Sequence, residues 1–158
     1  MFRISRLTDY GIVLLAHLAR EADGGPHNAR ELAAQANLPA PVVSKILKHL
    51  THQGLLVSQR GAKGGYGLSR DPRHISVSEI IAALEGPIAL TECTLGPGHC
   101  DQESVCAMRS PWQRINQVIG DALGRLTLAE LARPFPEDWL PFAAPRAREV
   151  GVPLGAKS

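Results

Sequence analysis

Prolines and glycines cut the first 54 residues into three pieces, each long enough for a helix and too short to be stable alone. From Thr8 to Arg20, Ile12, Leu15, Ala16 and Ala19 recur at helical spacing until Gly24-Gly25-Pro26 breaks the pattern. Asn28 followed by Glu31 has the form of a capping box and places Leu32, Ala33 and Ala36 on the inner face of a short second helix. After the turn Asn37-Leu38-Pro39, Pro41 suits the first turn of a third helix, which buries Val43, Ile46, Leu47 and Leu50 before Gly54 ends it. Such short apolar faces must pack on one another, which predicts helices joined by tight turns inside one unit.

The next 30 residues complete that unit. Two β-leaning runs, Leu55 to Arg60 and Tyr66 to Arg70, flank the glycine-rich tip Gly61-Ala62-Lys63-Gly64-Gly65 and predict a hairpin, with Tyr66 at its base. Ser76-Val77-Ser78-Glu79 reads as a capping box for a fourth helix carrying Ile80, Ile81 and Leu84, which Gly86-Pro87 terminates. Further on, Ser110 as cap and Pro111 at the first helical position open a long helix, along which Trp112, Ile115, Ile119, Ala122 and Leu126 form a continuous apolar stripe. Thr127-Leu128-Ala129-Glu130 opens a last short helix. Five prolines from Pro134 to Pro153 predict a flexible tail. The expected fold class is mainly α with a small β wing. It comprises a winged helix-turn-helix over 1–86, a cysteine loop over 87–109, a long helix region over 110–133 and a proline-rich tail over 134–158.

The formal charge of +2 conceals an asymmetry: residues 1–75 hold ten Lys/Arg against five Asp/Glu, and residues 76–158 hold seven against ten. Basic side chains gain from counterion release only where they reach phosphates, so the front half is the candidate for double-stranded DNA. A single exposed lysine is ordinarily a solvated charge; the combination with a helix-turn-helix and a glycine wing points to DNA. Ser44 and Lys45, near the start of the third helix, are candidates for base-edge contact. Lys48 and His49 are assigned to phosphates, and Arg60 and Lys63 to the wing. The apolar stretch Gly11 to Ala19 is too short to span a bilayer, and Asp9 and His17 add polar groups to it. A signal peptide and a membrane partner are therefore not expected, and the location is expected to be cytoplasmic.

All three cysteines, Cys93, Cys100 and Cys106, lie in one 14-residue segment, with Gly96, Pro97 and Gly98 supplying bends. An odd count argues against a disulfide framework. Thiolates suit iron–sulfur clusters or zinc, and the absence of close Cys-x2-Cys pairs favours the cluster; zinc with His99 as a fourth ligand stays open. With three cysteines in the chain, a cluster needs a non-cysteine ligand, an open position or a ligand from a partner subunit. A thiol enzyme is disfavoured, because no cysteine has a His-plus-carboxylate frame beyond His99.

The chain resembles the Rrf-type family of winged-helix iron–sulfur transcriptional regulators. Matching residues run from Arg3-Ile4-Ser5 and Thr8-Asp9-Tyr10-Gly11 through Val43-Ser44-Lys45, Gly54-Leu55 and the wing Arg60-Gly61-Ala62-Lys63-Gly64-Gly65-Tyr66. They continue through Ser78-Glu79-Ile80-Ile81 and the cysteines to Trp112–Leu131. Ser104-Val105-Cys106 and Ser110-Pro111-Trp112-Gln113-Arg114-Ile115-Asn116 look most like the branch that controls SUF-type cluster assembly genes. The resemblance implies a homodimer built on the Trp112 to Leu126 helix, with each cluster, [2Fe–2S] rather than [4Fe–4S], held near the partner's DNA-binding unit. IscR-like members place a ligating His where this chain has Arg109. NsrR-like members recruit an Asp at the position of Asp9, which makes Asp9 the implied fourth ligand. The implied function is a non-enzymatic, homodimeric regulator that senses cluster status and takes no small-molecule substrate. Its alternatives are a repressor with structural zinc and a nitric-oxide or redox sensor of the same family.

Overall fold

The computed structural model describes residues 4–21, 25–61 and 64–134. The elements in chain order are α1 (Arg6–Arg20), α2 (Ala29–Gln35), α3 (Ala40–His52), β1 (Leu56–Gln59), β2 (Gly65–Leu68), a 3-10 turn at Pro72–His74, α4 (Val77–Glu85), α5 (Glu92–Leu95), α6 (Arg109–Arg125) and α7 (Leu128–Leu131). This is the expected mainly helical chain with a small β wing. Lys63 and the expected tail beyond residue 134 lie outside the described residues.

Local chemistry sets most of the boundaries. Ser5 caps α1, its hydroxyl accepting from the Thr8 N–H, so the helix starts two residues before the apolar pattern does. The Asn28–Glu31 capping box of α2 forms in both directions. Pro41 sits in the first turn of α3, where a missing N–H is harmless, and the turn before it places Asn37 in the left-handed region at φ 52. Two expectations fail in detail. Ser76 caps α4, but the Glu79 carboxylate pairs with Arg70 instead of folding back, so only half of that capping box is made. The long helix begins at Arg109, not after a Ser110 cap. Turns already hydrogen-bonded from Gln102 to Cys106 and from Cys106 to Arg109 run straight into it, and Pro111 is carried inside its first turn.

The core is aliphatic. Leu14, Leu15 and Leu18 of α1, Leu32 of α2, Val43, Ile46, Leu47 and Leu50 of α3, Leu55 and Leu56 leading into β1, Ile75, Ile80 of α4 and Leu128 of α7 are buried in one cluster. A fully buried Leu or Ile contributes about 1.5–3 kcal/mol. The inner faces of α2 and α3 match the sequence pattern. On α1 the buried line runs through Gly11, Leu14, Leu15 and Leu18, leaving Ile12 and Ala19 partly buried on its flank, because α1 packs against α3, α4 and α7 at once and not on one side. Gly11 marks the closest approach, since a Cβ there would stand 2.5 Å from Leu84 Cδ1.

The core also reaches past residue 86. Thr127 bridges to Ser76, the Leu128 N–H donates to Ile75 O at 2.8 Å, and the Val77 N–H donates to Leu126 O at 2.9 Å. The chain thus leaves after α4, runs out through α6, and returns to seat Leu128 and Ala132 in the core.

The wing is an antiparallel hairpin with Leu56 opposite Leu68 and Ser58 opposite Tyr66. Tyr66 also exchanges two backbone hydrogen bonds with His27, at 2.8 and 3.0 Å, which fastens the wing to the segment before α2. Gly65 is demanded by that approach: a Cβ there would fall 2.4 Å from His27 O. A second fastening joins the chain's start to α4. Glu85 Oε1 accepts from the Ser5 N–H at 2.8 Å and from the Thr8 hydroxyl at 2.5 Å, which satisfies the buried side chain of Thr8. The Thr8 hydroxyl, followed by the Ser5 contacts, holds the Glu85 carboxyl below the ordinary glutamate value.

Two outcomes follow. Gly65→Ala should destabilise the fold by about 1–3 kcal/mol through backbone displacement at His27, read as a drop in urea midpoint. Because the folded Glu85 carboxyl is depressed, its stabilisation is complete above the ordinary value of 4.5 and is lost as pH falls through the lower folded value. The Tm difference between the native chain and Glu85→Gln should therefore be constant near neutrality and shrink in acid; a difference independent of pH would refute the clamp.

Candidate nucleic-acid interface and cysteine loop

Burial of Val43, Ile46, Leu47 and Leu50 turns the opposite side of α3 outward. Lys45, Lys48 and His49 are exposed there and Ser44 is half-buried. Arg60 is exposed at the end of β1 beside the wing tip, where Gly61 adopts φ 117. Ser44, Lys45 and Lys48 thus lie off the buried stripe of α3, and Arg60 lies at the wing. His49 differs: its Nε2 lies 2.8 Å from Ala83 O, so the imidazole ties α3 to α4 through that nitrogen. Nothing in a residue 34 positions away signals such a bond.

The cysteines have three different environments. Cys93 is buried within α5, its Sγ 3.1 Å from Thr91 Oγ1; Cys100 is half-buried; Cys106 is exposed. All three are free thiols. Asp9 is exposed in the first turn of α1, and His99 is exposed in the loop. Among the described residues no three His, Cys, Asp or Glu side chains converge closely enough to hold a metal ion. The single chain therefore presents the sulfur donors without gathering them.

Polar side chains that the pattern analysis did not single out hold this loop. Asn116 of α6 donates to Ile88 O and accepts from the Leu90 N–H, both at 3.0 Å, which fixes the chain leaving α4 against the long helix. Glu103 accepts from the Gly98 N–H at 2.6 Å and pairs with Arg109 at 2.5 Å. Arg109 is thus occupied by the loop's own carboxylate. Helix α6 itself has no buried residue: Ile115 is 43% exposed and Val118 62%, and Trp112 and Leu126 are also open. The apolar stripe expected from sequence is present, with one chain's worth of partners covering little of it.

Helix-turn-helix, wing, outward cations on α3 and a long uncovered helix together define a winged helix-turn-helix DNA-binding regulator. The sequence profile of the Rrf2 family, described as an iron-dependent transcriptional regulator, matches residues 4–134. The chain belongs to the Rrf2 family of transcriptional regulators. It is 32% identical to the solved structure of CymR, the global cysteine regulator of B. subtilis, covering 84% of this chain and 97% of that one at a TM-score of 0.69. It is also 30% identical to T. potens IscR, over 82% of this chain and 85% of that one, at a TM-score of 0.65. The transcriptional regulator IscR of Cronobacter sakazakii is 26% identical, over 82% of this chain and 79% of its own length. These relatives are DNA-binding regulators and not enzymes. Among the described residues no helix is long and apolar enough to cross a membrane.

Proposed function

We propose that this regulator works as a cytoplasmic homodimer that carries an iron–sulfur cluster, a [2Fe–2S] centre, on its three-cysteine loop and adjusts its grip on a double-stranded operator to cluster occupancy. The observation that carries the reading is the position of the loop. It follows α4 directly and is pinned at its start by Asn116 to α6, whose exposed apolar stripe needs a second copy to cover it. The donor chemistry fits the group: three free thiols on a segment bent at Gly96 and Gly98, at φ 141 and 82, are suited to a soft metal centre. Cys93, Cys100 and Cys106 would hold the cluster, with Asp9 of the second protomer as fourth ligand. When bound, the cluster supplies an occupancy that responds to redox conditions. Residues 1–86 act as the DNA-binding unit and 110–133 as the dimerisation region, and the regulated genes are those of SUF-type cluster assembly.

On the DNA side, α3 enters the major groove, Ser44 and Lys45 read base edges, and Lys48, Arg60 and Lys63 bind phosphates. His49, held by Ala83, orients α3 on α4 and meets the backbone with its remaining edge.

A second reading, thiol regulation without metal, is favoured by the exposure of Cys106 and by the likeness to a cysteine regulator. Metal analysis separates the two. Protein purified without oxygen should be brown and contain iron and acid-labile sulfide; a colourless, zinc-bearing or metal-free protein refutes the cluster. Cys100→Ala should lose iron and sulfide while keeping the oligomeric state and Tm of the metal-free native protein. Loaded and stripped protein should differ in operator affinity, and equal affinities would sink the switch.

Lys48→Ala should weaken binding to every DNA sequence and lower the salt slope by about one, whereas Lys45→Ala should change base preference at one position. A sequence-blind effect at Lys45 would remove it from the base readers.

A further inference from the structure

Among the described cations of the winged-helix unit, Arg20 donates its Nε–H to Ala132 O at 2.8 Å, and the rest fall into two groups. Arg70 is paired with Glu79, and Arg73 with Asp71, whose carboxyl that guanidinium holds down at about 2. Arg6, Arg30, Lys45, Lys48 and Arg60 are exposed and make no ion pair among the described residues. Of these, Arg30 is distinguished by its surroundings. It lines a concavity with Asn37, Leu38, Pro39 and Ala40, the turn that delivers the chain into α3. Its acidic neighbour is turned away: Glu31 Oε2 accepts from the Asn28 N–H in the capping box, and Asn28 Oδ1 accepts from the Arg30 and Glu31 N–H groups.

We infer that Arg30 binds a backbone phosphate of the DNA beside the turn between α2 and α3. A duplex that seats the start of α3 in its major groove carries one phosphate strand across the helix that precedes it. Arg30 meets that strand with a planar, multiply donating cation suited to phosphate oxygens. The contact adds affinity and fixes the angle of α3 without reading a base. Its partner is the phosphodiester backbone, so the effect extends to any duplex sequence. The inference rests on α3 as the groove-facing helix.

The test measures binding of the full-length protein to a cognate operator and to an unrelated duplex of equal length, each over a series of salt concentrations. Arg30→Ala, Arg30→Lys, Arg73→Ala and Lys45→Ala are compared with the native chain. Arg30→Ala should weaken both duplexes by a similar factor and reduce the salt slope by about one per protomer bound, with unchanged Tm. Arg30→Lys should restore most of the slope, and Arg73→Ala, which removes a cation already paired, should leave it unchanged. If Lys45→Ala impairs operator binding while Arg30→Ala leaves affinity and slope as in the native chain, the inference fails and the placement of α3 survives. If neither changes binding, both fall. A loss at Arg30 confined to the operator would also overturn a phosphate role.

Discussion

The packing of α1 against α3, α4 and α7 holds the other elements in place. Leu14, Leu15 and Leu18 project from one short helix into aliphatic side chains drawn from residues 32 to 128, so the core closes only when distant parts of the chain have come together. With 4% aromatic residues, no aromatic ring is fully buried among the described residues, and the core relies on many interlocking Leu, Ile and Val contacts. The cost of a gap is correspondingly local, and the direction in which α3 faces is set by how its four buried residues key into α1.

Two polar fastenings sharpen that arrangement. Glu85 ties the end of α4 to the start of α1, and His27 ties the wing to the lead-in of α2. Each is made by side-chain or backbone groups that would otherwise be left without partners near the core, where an unmet hydrogen bond costs more than a formed one contributes. The result is a front unit from which the chain continues into α5 and the cysteine loop, with α6 packed against α4. Hydrogen bonds and an ion pair anchor the loop to its neighbours. Asn116 binds its start to α6, Glu103 bridges its middle to Arg109, and α7 returns to the core beyond it. A rearrangement between Cys93 and Cys106 therefore acts on a segment anchored at each end, not on a free tail. The apolar stripe of α6 stays largely uncovered, since none of its residues is buried.

Much of this was legible residue by residue. The Asn28–Glu31 box, the proline at the start of α3, the glycine tip of the hairpin, Ser76 and Thr127 as caps and the buried faces of α2, α3 and α4 are all local signals, read within a few positions of where they act. What escaped was long-range or competitive. Ile12 and Ala19 gave up the centre of the α1 face to Leu14 and Leu18, because a helix packed on three sides has no single inner stripe. Glu79 left its cap for Arg70, and the start of α6 was taken over by the turns that precede it. The charge asymmetry pointed to the DNA-facing half but could not say which cations were already paired.

By itself, then, the order of residues determined the helices other than α5, the wing, the outward placement of Lys45 and Lys48, the stripe on α6 and the clustering of all three thiols, because each depends on spacing along a few turns of chain. Only the tertiary structure decided that α7 belongs to the front core, that His49 is held by Ala83, that Glu85 clamps Ser5 and Thr8, and that Arg30 lines the turn into α3 without an ion pair among the described residues. Those contacts join groups up to 80 positions apart, and no local periodicity encodes which distant partner a side chain will meet once the core has closed.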